Sequence, residues 1–105
     1  KHCPAICLGT DDFHTPLWLQ AAALDAFEAR FESVAFNSPF DGTIVPMRFY
    51  RRDARVCSIM IEVRRDQYMD EQAGKKLPGF DEVAARIQAA VRELAAAAAP
   101  LRNLT

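Results

Sequence analysis

The residues able to do chemistry crowd into Ser58–Glu71, where an apolar run ends in charge. Glu62 is a carboxylate that can accept and return a proton. Arg64 and Arg65 follow it, and a guanidinium holds a carboxylate with two parallel hydrogen bonds. Tyr68 supplies a phenol that can donate to a developing oxyanion, or an aromatic ring to pack over a loop. Glu62 sits near the C-terminal end of the run Arg55–Val63, whose composition reads as a strand buried on both faces. A charge inside such a strand is costly unless it is paired. Two readings follow: an ion pair with Arg64 or Arg65, or a place in a cleft at the strand's carboxyl end, where ligands collect in open α/β sheets. In a strand-like continuation Glu62 and Arg64 share a face and Arg65 does not.

A second set lies at Asp11–Pro16. His14, beside Asp11 and Asp12, has the chemistry to ligate metal or touch substrate, or to hydrogen-bond its own loop. With His2 it makes only two histidines, too few for a three-ligand zinc site without carboxylates, so this chain alone is not expected to bind metal. Asp70 and Glu71 are expected to pair with Arg51, Arg52 or Arg55 and fix the loop. Cys3, Cys7 and Cys57 contain no C-x-x-C spacing and read as reduced core filler in a cytoplasmic protein.

Positioning these groups falls to a small set of elements. Cys3–Leu8 reads as a short strand. Thr15 suits a helix N-cap and Pro16 the first helical position, opening a helix to about Phe31. Leu17, Ala21, Leu24, Phe27 and Phe31 form its apolar face. Ser33–Asn37 is a second strand, parallel to the first by the strand–helix–strand order. Residues Ile44–Tyr50 hold Pro46 and read as an extended edge segment. The stretch 66–78 is a polar loop with a helical turn at its start. Asp81 caps a final helix whose stripe is Val83, Ile87, Val91 and Leu94, ending at Pro100, with the last five residues frayed.

The chain has 105 residues, 50% hydrophobic, with a net charge of −1. That is one domain at most, 1–105, and it offers no electrostatic case for nucleic acid or an anionic membrane. No apolar run spans a bilayer and no signal peptide is legible. The abrupt start at Lys1, with Ile6 already in a strand, suggests the tail of something longer. Association over apolar surface left by such a missing part is a further expectation.

Four segments in order carry a resemblance: L-G-T-D-D-F-H-T-P (8–16), F-N-S-P-F-D-G-T-I-V-P (36–46), I-E-V-R-R (61–65) and Q-Y-M-D-E (67–71). Together they resemble the C-terminal portion of the N-formylglutamate amidohydrolase family. The resemblance implies an α/β fold, with helices packed on a partly parallel sheet. That would be the C-terminal part of a zinc-carboxypeptidase-like (phosphorylase/hydrolase-like) three-layer domain. It implies hydrolysis of N-formyl-L-glutamate or a related N-acyl amino acid by zinc-activated water. Glu62 matches the general base; Arg65, with Arg64 beside it, matches the arginine for the substrate carboxylate. Tyr68 and His14 are the other substrate-binding candidates, and Asn37, Pro39 and Gly42 would shape the cleft wall. The family's zinc ligands lie in an N-terminal half that this chain lacks, so activity of the 105 residues alone is not expected. Arg64 and Gln67 depart from the family's usual small polar and apolar residues. The competing reading is a non-catalytic α/β interaction domain in which Glu62, Arg64 and Arg65 form a structural ion-pair network.

Overall fold

The computed structural model of the chain describes residues 4–38 and 40–102, with side chains through residue 98. The expectations for His2, Cys3, Pro39 and the extreme C-terminus fall on residues outside that range.

Three strands make the main sheet: β1 (Ile6–Gly9), β2 (Val34–Phe36) and β3 (Met60–Val63), in the order β2-β1-β3. The strand–helix–strand order places β2 parallel to β1, with Cys7 opposite Ala35. β3 runs antiparallel to β1, with Cys7 opposite Glu62 and Ile6 opposite Val63. Two helices, α1 (Leu17–Glu28) and α2 (Phe80–Arg102), pack on each other and against one face of this sheet. A two-stranded hairpin, β4 (Met69–Asp70) and β5 (Lys75–Lys76), fills part of the expected loop. The mixed α/β architecture with a partly parallel sheet is therefore present. Among the described residues it comprises two layers, and they do not supply the third layer.

Strand alternation decides what each face carries. Ile6 and Leu8 are wholly buried beneath the helices with Phe27, Ala23 and Ala26, and Val34, Phe36, Ile61 and Val63 pack against them. Ala35, Cys7 and Glu62 form a row on the opposite face. Small residues let two helices approach closely, and Ala23, Ala26 and Ala90 are all fully buried.

Several sequence expectations shift. The buried stripe of α1 is Leu19, Ala23, Ala26 and Phe27, while Leu17 is 81% exposed and Ala21 is exposed. Thr15 does not cap the helix; its hydroxyl donates to the Ser58 carbonyl at 2.7 Å, and Pro16 takes the N-cap position. Val91 lies outside the buried stripe of α2, which continues past Pro100 to Arg102. Residues 44–50 contain a short 3-10 turn, Met47–Phe49, with Ile44 and Met47 exposed. Cys57, expected in the core, is exposed.

β3 is also shorter than the Arg55–Val63 run. Backbone groups that would extend its ladder are taken by the loop before α1. The Val56 carbonyl accepts from His14 Nδ1 at 2.7 Å, and the Ser58 N–H donates to the His14 carbonyl at 2.9 Å. As an edge strand with a half-exposed surface, β3 tolerates a carboxylate that a strand buried on both faces would not. Among the described residues no helix is long and apolar enough to cross a membrane.

Candidate functional site

The alternation that buries Ile61 and Val63 turns Glu62 to the helix-free face, where its side chain is exposed. The ladder runs one residue further, with the Arg64 N–H donating to the Ala5 carbonyl at 2.9 Å. The backbone then leaves the sheet in a 3-10 turn, Arg65–Gln67, and this break brings Arg65 to the same cleft although strand alternation alone would turn it away. Tyr68 follows, with its ring edge-on to Phe80 at 5.7 Å between centroids. The β4–β5 hairpin, turned by Gly74 at φ +67° and by Asp70 accepting from the N–H groups of Gln72 and Ala73, carries Glu71 round to the opening.

The result is a cleft of about 330 Å³ lined by Pro4, Cys7, Phe40, Glu62, Val63, Arg64, Arg65, Tyr68 and Glu71. Glu62, Arg64, Arg65 and Tyr68 thus meet at one place. Their polar groups differ in how far they are already engaged. Arg64 Nε donates to Asp66 at 2.6 Å. Among the described residues Glu62, Arg65 and Glu71 make no ion pair or side-chain hydrogen bond, and neither does the Tyr68 hydroxyl. The ion-pair network of Glu62 with Arg64 and Arg65 is therefore not formed. The Tyr68 ring packs against the core, and the residue also lines the cleft.

The loop Phe40–Thr43 closes one side. Cys7 Sγ donates to the Phe40 carbonyl at 3.2 Å, and the Gly42 N–H to the Thr10 carbonyl at 3.1 Å. Gly9 permits this approach, since a Cβ there would run into the Gly42 carbonyl oxygen. Gly42 itself sits at φ +84°, where side chains are strained. Asn37 does not line the cleft. In the left-handed region at φ 54°, it clamps the two loops by accepting from the Thr10 N–H and donating to Thr10 Oγ1, both at 2.9 Å.

His14 stands apart from this cleft. It is fully buried; Nδ1 faces the Val56 carbonyl at 2.7 Å, and Nε2 accepts the Arg51 N–H at 2.8 Å. Since a backbone N–H can only donate, Nε2 carries the lone pair and Nδ1 the hydrogen. Both ring nitrogens are spent on backbone, so the contact with substrate or metal foreseen for His14 has no free atom to make it. Asp11 supports the same loop, with Oδ2 accepting from Phe13 and His14 N–H groups at 2.9 and 3.0 Å. Burial works to raise the Asp11 pKa, but those two N–H groups and Arg51, 3.6 Å away, together hold it below its ordinary 3.8. Asp70 and Glu71 do not pair with Arg51, Arg52 or Arg55: Asp70 shapes its turn, Arg55 pairs with Asp53 at 2.9 Å, and Glu71 belongs to the cleft. Sequence reasoning missed Glu71, Cys7 and Phe40 as lining residues. The signals for Glu71 were its place in the Q-Y-M-D-E segment and the turn chemistry of Asp70 and Gly74, since the two-residue strands of the hairpin have no apolar alternation to reveal them.

The family model for N-formylglutamate amidohydrolase matches residues 1–69, which is 69 of 105 residues and ends just past Tyr68. The chain belongs to the N-formylglutamate amidohydrolase family. The fold agrees with a crystal structure of N-formylglutamate amidohydrolase from Ralstonia eutropha JMP134, at a TM-score of 0.69 and 24% identity. That similarity covers 98% of this chain and 36% of the other, so the chain spans about a third of the solved protein's length. None of the curated proteins matches the chain. Family membership covers Glu62, Arg64, Arg65 and Tyr68 within the matched residues, while Glu71 lies just beyond them.

Proposed function

We propose that this chain supplies one wall of an amidohydrolase site that cleaves an N-acyl amino acid, N-formyl-L-glutamate or a relative of it. The supporting observation is the meeting of a carboxylate, Glu62, and a guanidinium, Arg65, neither with an ion pair among the described residues, and the Tyr68 phenol in one cleft of a family member. Zinc, which would supply Lewis acidity to the carbonyl and to a water, belongs to the proposal as a group held by polypeptide outside this chain; among the described residues no three His, Cys, Asp or Glu side chains stand together.

This chain's residues then have separate tasks. Arg65 holds the substrate carboxylate in a two-pronged grip, with Arg64 beside it already paired to Asp66. Glu62 accepts a proton from the attacking water as its oxygen adds to the acyl carbon. It returns that proton to the amine nitrogen as the C–N bond breaks, leaving a carboxylate and the free amino acid. The Tyr68 hydroxyl donates to the oxygen on which charge develops. The free thiols of Cys7 and Cys57 suit a reducing, cytoplasmic setting.

Glu62→Gln, in the polypeptide that carries this chain, tests the central role. Turnover should fall by about 10²- to 10⁴-fold, the usual worth of a positioned proton carrier, with zinc content unchanged. Turnover within about twofold of the parent would remove Glu62 from the mechanism.

A further inference from the structure

Resting on the amidohydrolase reading above, the Tyr68 phenol has to stay within hydrogen-bond reach of the oxygen that gains charge. Its own stretch of chain does little to keep it there. The residue stands between the 3-10 turn Arg65–Gln67 and the two-residue strand β4. Two backbone hydrogen bonds hold it, from its N–H to the Arg65 carbonyl at 3.1 Å and from the Leu77 N–H to its own carbonyl at 2.9 Å. These fix the main chain and leave the side-chain torsions to be set by packing.

That packing is lopsided. Tyr68 and Val63 line both the polar cleft and an apolar hollow of about 220 Å³, whose other walls are Phe80, Val83, Ala84 and Ile87. An aromatic ring gains by burying its surface among apolar groups, so an unrestrained Tyr68 ring would lean into the hollow and draw its hydroxyl from the cleft. Phe80 restrains it. The two rings meet edge to face, with 5.7 Å between centroids and 74° between planes, an arrangement that is directional as well as apolar. Phe80 is itself well anchored. It opens α2, its N–H donates to the Leu77 carbonyl at 3.0 Å, and Lys76 Nζ lies over its ring at 4.5 Å. Val83 and Ile87 then dock α2 on the core. A side chain on a docked helix positions a neighbour more firmly than a loop can.

We infer that Phe80 is a positioning residue for the hydrolysis: it holds the Tyr68 ring by its edge, so that the phenol serves the cleft and not the hollow. Phe80 lies beyond residue 69, where the family match ends, so the matched segment contains the tyrosine without the ring that orients it.

The test measures kcat and KM for N-formyl-L-glutamate on the metal-loaded polypeptide that carries this chain, in Tyr68→Phe, Phe80→Leu and the two combined. Tyr68→Phe should lower kcat by about 10²-fold, the worth of one donor to a developing oxyanion. Phe80→Leu keeps an apolar side chain but no ring, and should lower kcat by about tenfold with KM within about twofold, as loss of alignment does. Phe80→Met makes the same comparison with a longer side chain, and Phe80→Tyr, which keeps the ring, should retain most of the parent's kcat. In the Tyr68→Phe background Phe80→Leu should cost less than about twofold, because no hydroxyl remains to be misplaced; a merely structural Phe80 would cost the same in both backgrounds. Parent-like kcat in Phe80→Leu, or equal losses in the two backgrounds, overturns the assignment. Parent-like kcat in Tyr68→Phe instead removes Tyr68 from the chemistry and Phe80 with it, and a parent that does not hydrolyse the compound overturns the amidohydrolase reading as a whole.

Discussion

Two polar regions of this small fold, built from similar residue types, are used in opposite ways. Around His14 the buried polar groups are consumed: the ring bonds Val56 and Arg51, Thr15 bonds Asp11 and Ser58, and Asp11 gathers two N–H groups. Around Glu62 charges line an open cleft, and three of them have no partner among the described residues. Buried polar groups must be satisfied or the fold loses the cost of their desolvation. Exposed ones are under no such demand and keep their capacity for a ligand. Polar chemistry is therefore saturated where it is buried and remains available to a ligand where it is exposed.

That contrast can be broken by mutation, and the largest effect on stability belongs to the saturated region. His14→Ala should cost about 3 kcal/mol in urea denaturation, because it opens a cavity and strands the Val56 carbonyl and the Arg51 N–H. A loss below about 1 kcal/mol would show that the ring is dispensable. Thr15→Val, nearly equal in shape, removes a donor to Ser58 and an acceptor for the Asp11 N–H, and should cost about 1–2 kcal/mol in the same assay. Glu62→Gln and Arg65→Gln, by contrast, should each shift stability by no more than about 0.5 kcal/mol, as exposed substitutions do. A larger loss from either would mean that the cleft charges hold the fold together.

Acid sharpens the same comparison. Asp11 has its folded pKa below its unfolded value, so its contribution is present above pH 3.8 and is lost as pH falls through the folded value. Asp53, lowered by its hydrogen bonds from Arg55, behaves in the same sense. Asp11→Asn should flatten the acid limb of a stability-against-pH curve below about pH 4. An unchanged slope there would show that the Asp11 hydrogen bonds are not maintained in solution.

The sequence was most legible where one residue type permits few roles. Apolar runs at strand and helix spacing marked β1, α1, β2 and α2, and the clustering of Glu62 with Arg64, Arg65 and Tyr68 marked the cleft. It was least legible where a partner far along the chain decides the outcome. Thr15 has the chemistry of a helix cap, and only the approach of Ser58 diverts its hydroxyl. Leu17 and Ala21 fit a helical stripe, yet the face that docks is set by Ala23 and Ala26 fitting against the sheet and α2.

Composition and local spacing by themselves determined an α/β chain with a charged cluster at the end of an apolar strand, because hydrophobic periodicity and the chemistry of side chains are properties of short segments. Only the tertiary structure decided that Glu62 faces away from the helices, that His14 is spent on backbone, and that Glu71 joins the cleft. Those outcomes depend on strand register and on which distant donors reach which acceptors, and no short stretch of sequence contains both partners.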